Sequence, residues 1–117
     1  MDQLQAIAAL SALAQTTRLE AFRHLVRSLP HGLAAGELAR LLEVPQNTLS
    51  SHLAILQHAG LVHGERDSRS IIYRANLDRL RDLTLFMLKD CCDGRPEICA
   101  PLIEDISPCC PKSNTAA

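Results

Sequence analysis

Cys91 and Cys92 stand side by side at the end of a helical-looking run, and Cys99 follows seven residues later. Thiols spaced so closely can pack a core, form a disulfide, act as a redox switch or hold a soft ion. Adjacent cysteines make a poor disulfide, because the small ring they close strains normal S–S geometry. A second adjacent pair, Cys109 and Cys110, sits between Pro108 and Pro111. Asp2 is the only charge before Arg18, so the apolar run from Ala6 to Ala14 reads as an amphipathic helix and not as a secretory leader. No stretch is long and apolar enough to span a bilayer. A cytoplasmic, non-membrane protein with reduced thiols is expected, and five cysteines there point to metal or redox chemistry.

The elements that must position these thiols follow from apolar period. In "TTRLEAFRHLVRSLP", Thr17 and Glu20 have capping-box spacing, and Leu19, Phe22, Leu25, Val26 and Leu29 share a stripe that Pro30 and Gly32 end. "AAGELARLLEV" gives a shorter helix on Leu38, Leu41 and Leu42. "PQNTLSSHLAILQHAG" runs from Pro45 to a C-cap at Gly60, with Leu49, Leu53 and Leu56 inward. Its other face holds Gln46, Asn47, Thr48, Ser50, Ser51 and His52, all hydrogen-bonding groups and none of them acidic. Leu61 to Glu65 and Ser70 to Ala75 are β-prone and flank the polar turn Arg66–Asp67–Ser68–Arg69 as a hairpin.

Asn76 is a plausible N-cap for the last helix, "NLDRLRDLTLFMLKDCC". Leu77, Leu80, Thr84, Met87, Leu88 and Cys91 form one stripe there, and Leu83, Leu85 and Phe86 widen it. A face that broad implies packing on a second surface, most simply a second copy of the chain. The expected organisation is one domain over residues 1–92 and a cysteine-containing loop and tail over 93–117. Composition agrees: 47% hydrophobic and 21% charged residues describe a globular chain, and 3% aromatics leave an aliphatic core. A net charge of -1 excludes general attraction to nucleic acid, so any such binding needs a local positive patch.

Two short helices joined around Glu43–Pro45 and followed by a hairpin make a helix-turn-helix with a wing, a mainly α fold with a small β-hairpin. Asn, Gln, Ser, Thr and His on the second helix can read base edges in a major groove or hold phosphates. Arg66, Arg69 and Arg74 would lie by the backbone or minor groove. The remaining histidines, His24, His31, His58 and His63, show no ligand spacing to one another. No Ser/His/Asp grouping, carboxylate pair or Gly-rich phosphate loop stands out, so the chain is not expected to be an enzyme.

In order and spacing, "ALAQTTRLEAFRHL", "GELARLLEVPQNTLSSHLAILQHAGLV" and "ERDSRSIIYRAN" resemble the ArsR/SmtB family of metalloregulatory repressors. The resemblance covers roughly residues 4–91. It implies a homodimeric winged helix that represses its own operon and leaves double-stranded operator DNA when a metal or metalloid binds. The wing of the family usually carries Gly where this chain has Ser68. One arsenic pattern of the family places cysteines on the first helix of the helix-turn-helix, and "GLAAGELARLLEV" has none. The zinc pattern pairs Asp with His on the last helix, where this chain has Asp78 and Asp82 and no histidine.

Cys91, Cys92 and Cys99 instead resemble the C-terminal arsenite site of one arsenic-responsive branch. As(III) and Sb(III) are thiophilic, trigonal-pyramidal centres that three thiolates satisfy, and soft thiolates select soft ions. Side chains at adjacent helical positions diverge by about 100°. Both can reach one ion only where the helix loosens, which Gly94 and Pro96 favour. The resemblance thus implies an As(III)- or Sb(III)-induced repressor of arsenical resistance, with Cys109 and Cys110 as an auxiliary thiol pair or a dispensable tail. Three alternatives stay open: a thiolate site for zinc, cadmium or lead; a thiol-redox-responsive repressor of the same fold; and a metal scavenger whose winged helix is vestigial.

Overall fold

The computed structural model describes residues 1–91, with side chains through residue 88. Among these, five helices and three strands follow in the order α1 (Gln3–Leu13), α2 (Thr16–Arg27), β1 (Leu33–Ala34), α3 (Ala35–Leu42), α4 (Gln46–His58), β2 (Val62–Asp67), β3 (Ser70–Ala75) and α5 (Leu77–Cys91). Residues Met1–Leu83 form one compact unit, and from Thr84 onward the chain belongs to a second. No helix among the described residues is long and apolar enough to cross a membrane.

α1 opens with a reciprocal cap. Asp2 Oδ1 accepts from the Gln5 backbone N–H at 2.8 Å, and Gln5 Oε1 accepts from the Asp2 N–H at 3.0 Å. The run is helical as expected, but it is not amphipathic, because both of its faces are apolar. Its buried stripe is Ala6, Ala9 and Ala12, while Leu4, Ile7 and Leu10 are 79%, 53% and 43% exposed. Small residues let the α1 backbone lie close to α2 and α4.

The cap of α2 departs from the Thr17–Glu20 expectation. Gln15 is the N-cap, and its side chain accepts from the Arg18 N–H at 2.8 Å. Thr17 lies inside the first turn, where its hydroxyl is in the wrong place to receive that donor. Ala21, Phe22 and Leu25 are buried, while Leu19 is exposed. Glu37 fixes the start of α3 by accepting from the Ala34 N–H at 3.0 Å. α3 ends where Glu43 takes a left-handed φ of 57°, and Pro45 then serves as the N-cap of α4, one position earlier than a first-turn proline.

Leu49, Leu53 and Leu56 of α4 meet Leu25, Leu38 and Leu61 in an aliphatic core whose members are less than 2% exposed. Burying each such side chain contributes roughly 1.5–3 kcal/mol. This core sets the rotation of α4 and therefore which residues face outward.

The hairpin extends to Asp67, so the connection shrinks to Ser68–Arg69, with the register running from Val62↔Ala75 to Asp67↔Ser70. A third strand, β1, pairs antiparallel with β3 through Leu33↔Tyr73 and Ala34↔Ile72, giving the order β1-β3-β2. The sequence offered no sign of it, since two residues carry no alternation. Gly32 makes this contact possible. Its φ is +82°, and a Cβ there would lie 2.7 Å from the Tyr73 carbonyl oxygen.

Asn76 begins α5 as expected, its Oδ1 accepting from the Arg79 N–H at 3.4 Å. Within the expected broad apolar arc of this helix, Leu83 is buried, Leu80 is half-buried and Leu77 is exposed. The Asn76 backbone N–H donates to the Leu61 carbonyl oxygen at 2.8 Å and anchors the start of the helix.

Candidate nucleic-acid interface

With three leucines anchored in the core, α4 turns Gln46, Asn47, Thr48, Ser50 and Ser51 to solvent. No carboxylate lies between Gln46 and Gly60, so this surface offers donors and acceptors without repelling phosphate. Local bonds set the side chains in the free protein. Asn47 Oδ1 accepts from the Thr48 N–H at 2.9 Å, and the Ser50 hydroxyl donates to the Gln46 carbonyl at 3.0 Å. The Ser51 hydroxyl donates to the Asn47 carbonyl at 3.5 Å. Each hydroxyl keeps its lone pairs for an outside donor, and the Asn47 amide N–H groups make no hydrogen bond among the described residues. The first turn of α4 has no side-chain cap, which leaves N–H groups at the positive end of its dipole.

His52 differs from its neighbours. It is half-buried, and its Nδ1 lies 3.3 Å from Nη1 of Arg18. Sequence reasoning missed Arg18 entirely. The two residues are 34 positions apart on different helices, and no period or spacing relates them.

On the wing, Arg66 and Arg69 are exposed, Arg69 within the two-residue turn and Arg66 opposite Ile71. Ser68 holds a left-handed φ of 57°, which explains why a glycine would suit the position. Arg74 is engaged within the protein itself. Its guanidinium binds the Glu65 carboxylate through Nη1 and donates from Nε to the Pro30 carbonyl at 3.1 Å. These bonds tie β3 to Glu65 of β2 and to the Pro30 turn.

Cys91 is the last residue of α5, whereas Cys92, Cys99, Cys109 and Cys110 lie outside the described residues. Among the described residues, no group of three or more His, Cys, Asp or Glu could hold a metal. Asp78 and Asp82 line an open groove of about 310 Å³ with His63 and Arg79, and they do not make such a cluster.

Residues 13–65 match a family model described as a helix-turn-helix domain. The chain is 36% identical over 72 residues to the transcriptional activator HlyU of Vibrio cholerae, covering 62% of this chain and 64% of that protein. A structure of reduced HlyU from the same species superimposes with a TM-score of 0.59 and 30% identity, covering 74% of this chain and 87% of that one. The repressor SmtB of Mycobacterium tuberculosis is 53% identical over 38 residues, 32% of this chain and 28% of that protein. The matches thus span under two thirds of both curated relatives. An ArsR-like transcriptional regulator from Rhodococcus sp. RHA1 superimposes with a TM-score of 0.66 and 30% identity, covering 88% of this chain and 92% of that one.

Proposed function

Because the chain belongs to the ArsR/SmtB family of helix-turn-helix regulators, we propose that it is a homodimeric transcriptional repressor released from its operator by As(III) or Sb(III). The observation that carries the DNA half is the acid-free, exposed face of α4, held outward by Leu49, Leu53 and Leu56, with Arg66 and Arg69 exposed on the hairpin that follows it in the chain. In a dimer, each α4 takes one half-site in the major groove, with half-sites about 34 Å apart. The partner is a second copy. α1 presents Leu4, Ile7 and Leu10 and α5 presents Leu77, Leu85 and Met87, large apolar groups that a monomer gains nothing by exposing.

The inducer reading rests on donor chemistry. Cys91, Cys92 and Cys99 would hold the metalloid, which is satisfied by three thiolates and needs no fourth ligand. Cys91 closes α5, the helix whose N-cap Asn76 is bound to the end of α4. Release requires that the metalloid favour one of two dimer states, a coupling typically of about 1–3 kcal/mol.

A gel-shift titration of the DNA upstream of its own gene, with and without arsenite, tests this reading. Binding by the reduced protein that arsenite abolishes is expected; binding indifferent to arsenite removes the inducer assignment. A second reading, a thiol-redox-responsive regulator, gains support from the adjacent cysteines and from the likeness to HlyU, a relative with a reduced-form structure. Release by a mild oxidant without arsenite would favour it. Release by zinc, cadmium or lead, and not by arsenite, would move the same thiolates to a divalent soft ion.

A further inference from the structure

Three acceptors converge on the guanidinium of Arg18. Nε donates to the Ala12 carbonyl oxygen at 2.6 Å, Nη2 reaches the Ser11 carbonyl at 3.5 Å, and Nη1 lies 3.3 Å from His52 Nδ1. Ser11 and Ala12 belong to the last turn of α1, where a cation meets the negative end of the dipole; the Ser11 carbonyl also accepts from the Ala14 N–H at 3.2 Å. α1 has no basic residue of its own in that turn, so Arg18 supplies the charge from α2. Its own backbone N–H is held by Gln15, which fixes where the side chain starts.

A guanidinium carries only donors and stays charged. Nδ1 of His52 must therefore accept, and an imidazole that accepts at Nδ1 is neutral with its one proton on Nε2. Among the described residues, no protein acceptor meets that Nε2–H. We infer that Arg18 is a positioning residue: it ties α4 to the end of α1 and fixes His52 as a neutral Nε2–H donor to the DNA. The inference rests on the reading of α4 as the DNA-reading helix. It assigns Arg18 no DNA contact, because each of its three guanidinium nitrogens already faces an acceptor on Ala12, Ser11 or His52. The acceptor is a phosphate oxygen or a base-edge atom such as a purine N7. A neutral donor adds affinity without displacing a counterion, whereas a cation on phosphate adds about 0.9 to the salt slope. The device also links α1, the proposed pairing helix, to a side chain on α4, so a change in dimer packing alters how His52 is presented.

The experiment has two readouts. Long-range proton–nitrogen NMR of the free protein at neutral pH reads the His52 ring, with protonation on Nε2 and a bare Nδ1 expected. A proton on Nδ1, or on both nitrogens, would overturn the assignment. Salt-dependent binding to the DNA upstream of its own gene reads the contact. His52→Asn, which keeps an acceptor near Nδ1 and loses Nε2, should weaken binding roughly tenfold at an unchanged salt slope. His52→Gln, which places an N–H near the Nε2 position, should lose less than His52→Asn. Arg18→Gln should weaken binding with its slope unchanged. A slope reduced by about one for Arg18→Gln would make Arg18 a phosphate contact and overturn the positioning role. Equal affinity of wild type and His52→Asn would remove the donor. Failure of the wild type to bind DNA at all would defeat the regulatory reading itself, while the ring spectrum would still decide the Arg18–His52 bond.

Discussion

Asn76 donates from Nδ2 to the carbonyl oxygen of Gly60 at 2.9 Å, while its Oδ1 accepts from the Arg79 N–H in the first turn of α5. One side chain thus closes the end of α4 and opens α5. Gly60 is matched to this arrangement. Its φ is +82°, and a Cβ there would sit 2.5 Å from Nε of Arg79. Asn76→Ala should destabilise the fold by about 1–2 kcal/mol, combining a lost cap with a lost bond to a half-buried carbonyl. Asn76→Asp keeps the cap oxygen and loses the donor, so it should fall between. Urea unfolding checks the order, and an Asp variant as stable as wild type would show that the Gly60 bond contributes nothing.

Ser68 sits at φ 57° in the hairpin connection, a conformation that costs a residue with a Cβ about 1–2 kcal/mol. Ser68→Gly removes that cost and adds some freedom to the unfolded chain. A net gain of about 0.5–1 kcal/mol is expected. Ser68→Val should destabilise instead, because a β-branched side chain tolerates the left-handed region least. Thermal unfolding of the three proteins gives the answer, and a Val variant matching Ser would show that the turn adopts another conformation.

The thiols divide by place. Replacing Cys91, Cys92 or Cys99 singly by Ser should leave operator binding intact and abolish release by arsenite. The double variant Cys109→Ser with Cys110→Ser should bind less arsenite at most and still be released. Gel shifts at one arsenite concentration separate the cases. Dissociation of Cys99→Ser at the wild-type concentration would break the three-thiol assignment, and loss of induction in the tail variant would bring those thiols into the site.

What was legible in the sequence was whatever a period or a punctuating residue can carry. The leucine stripe of α4, bracketed by Pro45 and Gly60, gave both the helix and its outward face. α1 shows the limit of that reasoning. Leu4, Ile7 and Leu10 repeat with the same spacing as Ala6, Ala9 and Ala12, and only close packing against α2 and α4 decides that the alanines go inward. β1 is too short to alternate, and its existence depends on Gly32 letting the backbone approach Tyr73. The bond between Arg18 and His52 joins residues that no local pattern relates. Of the proposed thiol ligands, Cys92 and Cys99 lie outside the described residues, so their assignment stands on sequence and donor chemistry.

The net charge of -1 leaves no general attraction to DNA, so affinity must come from a few local groups. Arg69 is exposed in the wing turn and is proposed as a backbone contact; Asn47 is exposed on α4 and is proposed as a base reader. Arg69→Ala should weaken binding to operator and unrelated DNA alike and lower the salt slope by about one phosphate contact. Arg74→Ala should change the slope less, since that guanidinium is already engaged with Glu65 and Pro30. Asn47→Ala should cost about 1–3 kcal/mol on the operator alone, the worth of a bidentate contact to one base. Binding isotherms on both DNAs over a range of salt distinguish the roles. An unchanged slope for Arg69→Ala would mean that its guanidinium is merely solvated. Equal losses on both DNAs for Asn47→Ala would make it a backbone anchor, and the reading of sequence would then fall to Gln46, Thr48, Ser50 and Ser51.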